Sequence, residues 1–80
     1  MIELVNIGHE NYVDPGRVCM VLNIKSQLTK RLIQQAEEAH RLADVTFGRL
    51  TRSAVLLDNG WLILTSMRPL TARGRFVKAG

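Results

Sequence analysis

The sequence predicts an α+β domain, a small antiparallel sheet with one main amphipathic helix across it. Short runs rich in β-branched and aromatic residues recur along the chain, as in ELVNI, RVCMVLNI, SAVLL and WLILTS. One stretch between them switches to helical period, and Asp58-Asn59-Gly60 separates the last two strand candidates. Eighty residues make a single domain, 1–80. At that size folding buries only about 60 to 65% of the surface of the unfolded chain, so the core is thin.

Taken in order, Glu3–Ile7 reads as a first strand, and Gly8, Pro15 and Gly16 mark turns around a short extended piece at Tyr12–Val13. Arg17–Ile24 is the best second strand, with Val18, Met20, Leu22 and Ile24 on one face and Cys19 and Val21 on the other. From Ser26, a suitable N-cap, Leu28, Leu32, Ala36, Ala39 and Ala43 recur at three- and four-residue spacing, and Ile33 and Leu42 widen the stripe. That spacing predicts a helix over 27–42.

Residues 53–57 and 61–66 follow as a hairpin, for which Asn59-Gly60 suggests a type I′ turn with positive φ at both central residues. Pro69 can open a short C-terminal helix, although Gly74 weakens it, so 69–80 reads as a short helix or a tail. The strands are apolar on both faces, whereas a helix of about 16 residues, about 24 Å long, covers one. A neighbouring subunit is therefore expected to cover the second face, in preference to the tail folding back.

Composition narrows the function. With 46% hydrophobic and 22% charged residues the chain reads as globular. The N-terminus has no basic n-region and apolar h-region, and the longest apolar runs, such as VCMVL, are five residues, far below the roughly 20 that span a bilayer. Together with a lone cysteine, Cys19, this makes a cytoplasmic protein with no membrane partner the expectation.

Charge is uneven. Residues 1–48 hold five Lys/Arg against six acids, whereas 49–80 hold six (Arg49, Arg52, Arg68, Arg73, Arg75, Lys78) against Asp58 alone. Arginine suits forked recognition of phosphate. On charge alone a polyanionic partner and a merely solubilising surface are equally compatible.

No catalytic set, cofactor motif or metal-ligand cluster is legible, so a non-enzymatic function is expected. His40, on or near the helix stripe, reads as packed or interfacial. His9, beside Glu10, offers too few ligands for a metal and reads as structural. Cys19 reads as a small core residue, Trp61 as core or subunit packing, and Lys30-Arg31 as solvated. Gly48-Arg49-Leu50-Thr51-Arg52 remains: a glycine that lets the chain turn, then two arginines able to reach adjacent phosphates, with Thr51 donating a further hydrogen bond.

Several segments together resemble the RemA family of small bacterial DNA-binding regulators of extracellular-matrix (biofilm) genes. They are Asn6-Ile7-Gly8 with Asn11 and Arg17, Lys30-Arg31-Leu32-Ile33-Gln34, Asp44 to Arg49 with Thr51-Arg52, Val55 to Asp58, Ile63 to Ser66, and Pro69. The run D-x-T-aromatic-G-R-x-T-R is the most specific piece. The resemblance implies a LytTR-like α+β protomer, a homo-oligomeric ring of about seven or eight subunits, and transcription regulation through double-stranded DNA. The DNA-binding residues it implies are Arg17 and Arg49, with Arg52 as a helper; Thr51 joins them from the loop spacing alone. Two positions depart from the family pattern: Leu50 stands where a second arginine is usual, and Glu10 where glycine is usual. Both lower the positive potential. The alternative they suggest is a ring scaffold or protein-interaction module with weak or lost DNA binding.

Overall fold

The computed structural model describes residues 4–8 and 10–79, with side chains through Phe76; the readings of Glu3 and His9 lie outside these. Strands β1 (Val5–Asn6) and β2 (Tyr12–Val13) pair antiparallel as a small hairpin. After a single 3-10 turn at Pro15–Arg17 come β3 (Val18–Asn23), α1 (Gln27–Glu38), β4 (Leu42–Asp44), β5 (Ser53–Leu57), β6 (Leu62–Thr65) and α2 (Pro69–Ala79). The four-stranded sheet has the order β3-β5-β6-β4.

That sheet is mixed, which corrects the antiparallel expectation: β4 runs parallel to β6, with Leu42 opposite Leu62. The cause is an early end to α1. His40 adopts the left-handed conformation (φ 56°), the Arg41 N–H donates to the Ala36 carbonyl (2.8 Å), and the His40 N–H donates to that of Glu37 (3.1 Å). These two bonds are a Schellman ending, here built without glycine. Leu42, the last residue of the predicted helix, and Ala43, which continues its apolar stripe, are thereby released to extend along β6. His40 is exposed at this cap and is not packed on the helix stripe.

The β5–β6 turn also differs from expectation. Gly60 N–H donates to the Leu57 carbonyl (3.1 Å) and Leu57 N–H to that of Trp61 (2.9 Å), and among 58–60 only Gly60 has positive φ, 88°. This is a three-residue connection closed by one left-handed glycine, not a type I′ turn.

Both faces of the sheet are covered from within the chain. On one, α1 packs against β4 and β6, and Leu22, Ala36, Ala54 and Leu62 form a buried cluster. On the other, Val55 and Ile63 pack with Val5, Ile7 and Val13 of the small hairpin and with Ala72 and Phe76 of α2. The tail therefore folds back as a full helix, which corrects the expectation that a neighbouring subunit must shield this face.

A register shift between Val18 and Met20 moves Val18 onto the α2 side, away from the Met20–Leu22 face where simple alternation places it. Cys19, at that bulge on an edge strand, is exposed and not a core residue. What α1 leaves uncovered is a narrower strip, including Met20 and Leu28. No helix among the described residues is long and apolar enough to cross a membrane.

If α2 is the lid of the second core cluster, Phe76→Ala should cost about 3 to 5 kcal/mol. The urea midpoint should fall steeply, or the domain should lose its fold at 37 °C. An unchanged midpoint would mean that another element covers Val55 and Ile63.

Candidate functional site

The end of the sheet where β5 begins gathers the cations. Arg52 is held on both sides: its N–H donates to the Thr65 carbonyl (3.0 Å), and its carbonyl accepts from the Ile24 N–H (3.2 Å). The first bond ties it to the end of β6 and the second to the turn before α1. Lys25 follows Ile24 directly. The Ser53 hydroxyl donates to the Met67 carbonyl (2.6 Å), which fixes the backbone just before Arg68. Lys25, Arg52 and Arg68, widely separated in sequence, therefore line one groove.

Arg49 reaches the same end by a different turn. Asp44 Oδ1 accepts from the Thr46 N–H (2.9 Å) and from the Thr46 hydroxyl (2.6 Å), and the Arg49 N–H closes onto the Thr46 carbonyl (3.0 Å). Between them Phe47 and Gly48 both have positive φ, 52° and 78°. The paired positive φ values expected at Asn59-Gly60 are therefore found here. For Gly48 the conformation is free, and a Cβ there would meet open space. For Phe47 it costs about 1 to 2 kcal/mol. Backbone strain of this kind is concentrated at functional positions.

The Asp44 carboxyl is held below its ordinary value of 3.8, first by the Thr46 side-chain hydrogen bond and then by the Thr46 backbone N–H, with a small opposing desolvation. These bonds favour the charged form, so Asp44 locks the turn that carries Arg49.

Arg17 lies elsewhere. The six residues of β3 separate it from Arg52 by about 20 Å, so the structure does not bring the predicted site residues together within one protomer. At its own end Arg17 pairs with Asp58 (Nη1 to Oδ1, 3.5 Å), while the Asp58 N–H donates to the Arg17 carbonyl (2.8 Å). Both side chains are about half exposed, so the ion pair contributes little to stability.

Two other cations have structural tasks: Arg41 Nη1 donates to the Asn59 carbonyl (3.1 Å), steadying the hairpin turn, and Arg75 Nη1 donates to that of Asn6 (2.9 Å), tying α2 to β1. By contrast Arg49 and Arg52 are exposed and make no ion pair among the described residues, and Thr51 is half-buried between them. No three His, Cys, Asp or Glu side chains cluster as metal ligands among the described residues.

The comparisons bear on this arrangement. The family described as RemA-like, "Extracellular matrix regulatory protein A-like", matches residues 4–76. The chain belongs to this RemA-like family. A protein of Synechococcus sp. (strain JA-3-3Ab) is 41% identical over 76 residues, 95% of this chain and 85% of its own length. Another, of Geobacillus kaustophilus (strain HTA426), is 37% identical over 75 residues, 94% of this chain and 86% of its own length. Each bears the name "Putative regulatory protein".

Sequence reasoning on this RemA-like chain singles out Arg17, Arg49, Thr51 and Arg52 but not Lys25 and Arg68, which line the groove with Arg52. The excess of cations after residue 48 included Arg68, but only the sheet pairing shows that it stands beside Arg52.

The Asp44 lock is testable by NMR titration of its carboxyl. The midpoint should lie below 3.8 and return towards it in Thr46→Val. Because the folded value is depressed, the stabilisation is present above 3.8 and lost as pH falls through the folded value. An unshifted midpoint in the unmodified protein would contradict the lock.

Proposed function

We propose that this protein is a cytoplasmic, non-enzymatic DNA-binding regulator of transcription. Its LytTR-like protomers associate into a ring of about seven or eight subunits and contact DNA phosphates through Arg17, Arg49, Thr51 and Arg52. The observation that carries the reading is the pair Arg49 and Arg52, exposed and free of ion pairs among the described residues, on loops pinned by main-chain hydrogen bonds. Pre-positioned guanidinium groups of this kind suit phosphate oxygens, which fix a protein on a duplex without reading sequence. Membership of a regulatory family supports the same reading, and so does the family's description as regulating extracellular matrix.

Self-association rests on a different surface from the covered sheet faces. The β3 edge, with Cys19 exposed and Met20 42% exposed, borders the strip that α1 leaves open. In a head-to-tail ring the β3 edge of one copy would meet a different surface of the next, and Arg17 and the Arg49–Arg52 loop would recur in every copy around the assembly. Repetition around the ring would then raise the affinity of individually weak contacts. Discrimination among sites would come mainly from DNA shape and spacing.

A second reading, a ring scaffold without DNA binding, is favoured by one observation: Leu50, beside Arg49, is 70% exposed yet uncharged.

The test is duplex binding across a salt series. The DNA-binding reading expects a steep fall of log affinity with log salt, shallower by about 1 or more in Arg49→Ala. Asp58→Asn should tighten binding by releasing Arg17 from its carboxylate partner. A ring that retains no duplex even at low salt would establish the scaffold instead.

A further inference from the structure

The groove at the cationic end has a volume of about 520 Å³. Lys25, Arg52 and Arg68 line it together with the hydroxyl-bearing Thr51 and Thr71, and its described lining contains no Asp or Glu. Exposed Leu50 and Leu70 add apolar surface to the same lining.

Two of these cations stand against their local electrostatics. Lys25 immediately precedes the α1 cap Ser26, and Arg68 immediately precedes Pro69 at the start of α2, positions where the helix dipole disfavours positive charge. Neither helix has an acid in its first turn to offset them. Residues that break a local rule without local compensation are expected where function requires them.

We infer that this groove seats one strand of the duplex backbone, with Lys25 and Arg68 as further direct phosphate contacts beside Arg52. The inference rests on the DNA-binding reading above and extends it to residues outside the Arg49–Arg52 loop. The lining suits this occupant in particular. A nucleic-acid strand presents both phosphates and the less polar faces of its sugars, and the groove's lining offers both cations and hydroxyls and leucine side chains. The groove is open to solvent, so a polymer can enter and leave along it. Lys25 and Arg68 are held near Arg52 by the Ile24 and Met67 attachments, so their contacts add charge from fixed points on the backbone.

The experiment is fluorescence anisotropy of a labelled mixed-sequence duplex with the full chain over a range of salt. It compares the unmodified protein with Arg68→Ala, Lys25→Ala, Arg68→Lys and Arg52→Ala, and uses Arg31→Ala, on the exposed part of α1, as control. Loss of Lys25 or Arg68 should each weaken binding at low salt and reduce the salt slope by about 1 or more. Arg68→Lys should keep most of that slope, and Arg31→Ala all of it. Circular dichroism should be unchanged, because both side chains are exposed.

If Arg52→Ala weakens binding while Lys25→Ala and Arg68→Ala match the unmodified protein, the groove is not a strand seat and the DNA-binding reading survives. Equal weakening by Arg31→Ala would also overturn the groove, leaving only a diffuse effect of net charge. If the unmodified protein binds no duplex, both readings fall.

Discussion

Three fully buried hydroxyls hold this small fold together at one end of its sheet. Thr29 donates to the Asn23 carbonyl (2.7 Å), Ser53 to that of Met67 (2.6 Å), and Thr65 to that of Ile7 (2.6 Å) while accepting from the Met67 N–H (3.1 Å). Leaving such a group buried without its partner costs about 1 to 3 kcal/mol, a large amount for a thin core. Each bond joins the sheet end to a different neighbour: the start of α1, the approach to α2 and the N-terminal hairpin. These same junctions carry Lys25, Arg68 and Arg52. The cations thus extend from backbone held by these bonds, which fixes the points from which their exposed side chains start.

The covering of both sheet faces by the chain itself changes the physical basis of the proposed self-assembly. A wholly uncovered apolar face would make the isolated protomer unstable. Limited exposed apolar surface, Met20 on the β3 edge and Leu28 on α1, is compatible with a protomer that folds alone and associates afterwards. Assembly would then be a matter of concentration and edge complementarity, and the two ends of the protomer, one with Arg17 and one with the groove, could serve different neighbours.

Much of the fold was legible in the residues. Strands β2 and β5 are legible at their true bounds, the runs 17–24 and 61–66 contain the whole of β3 and β6, and the Leu28-to-Ala36 periodicity locates α1. The errors have physical causes. His40 supplies the left-handed helix ending that sequence reading assigns to glycine, so the predicted helix runs on to Leu42, the first residue of β4, and the parallel pairing is not seen. Phe47 takes a positive φ that no bulky residue advertises. The bulge at Cys19 reverses the alternation of Val18, and nothing in the run VCMVL marks it. Of the candidate site, the arginines within one loop were visible because they are neighbours in sequence. Lys25 and Arg68 were not, because sheet pairing alone brings them to Arg52.

Hydrogen–deuterium exchange of the full chain, with and without a mixed-sequence duplex at low salt, tests directly whether the pinned cationic end is where nucleic acid sits. Protection confined to residues 24–25, 46–52 and 67–71, with the outer face of α1 unchanged, is the predicted result. Protection centred on α1, with the 46–52 loop exchanging as in the free protein, would contradict it.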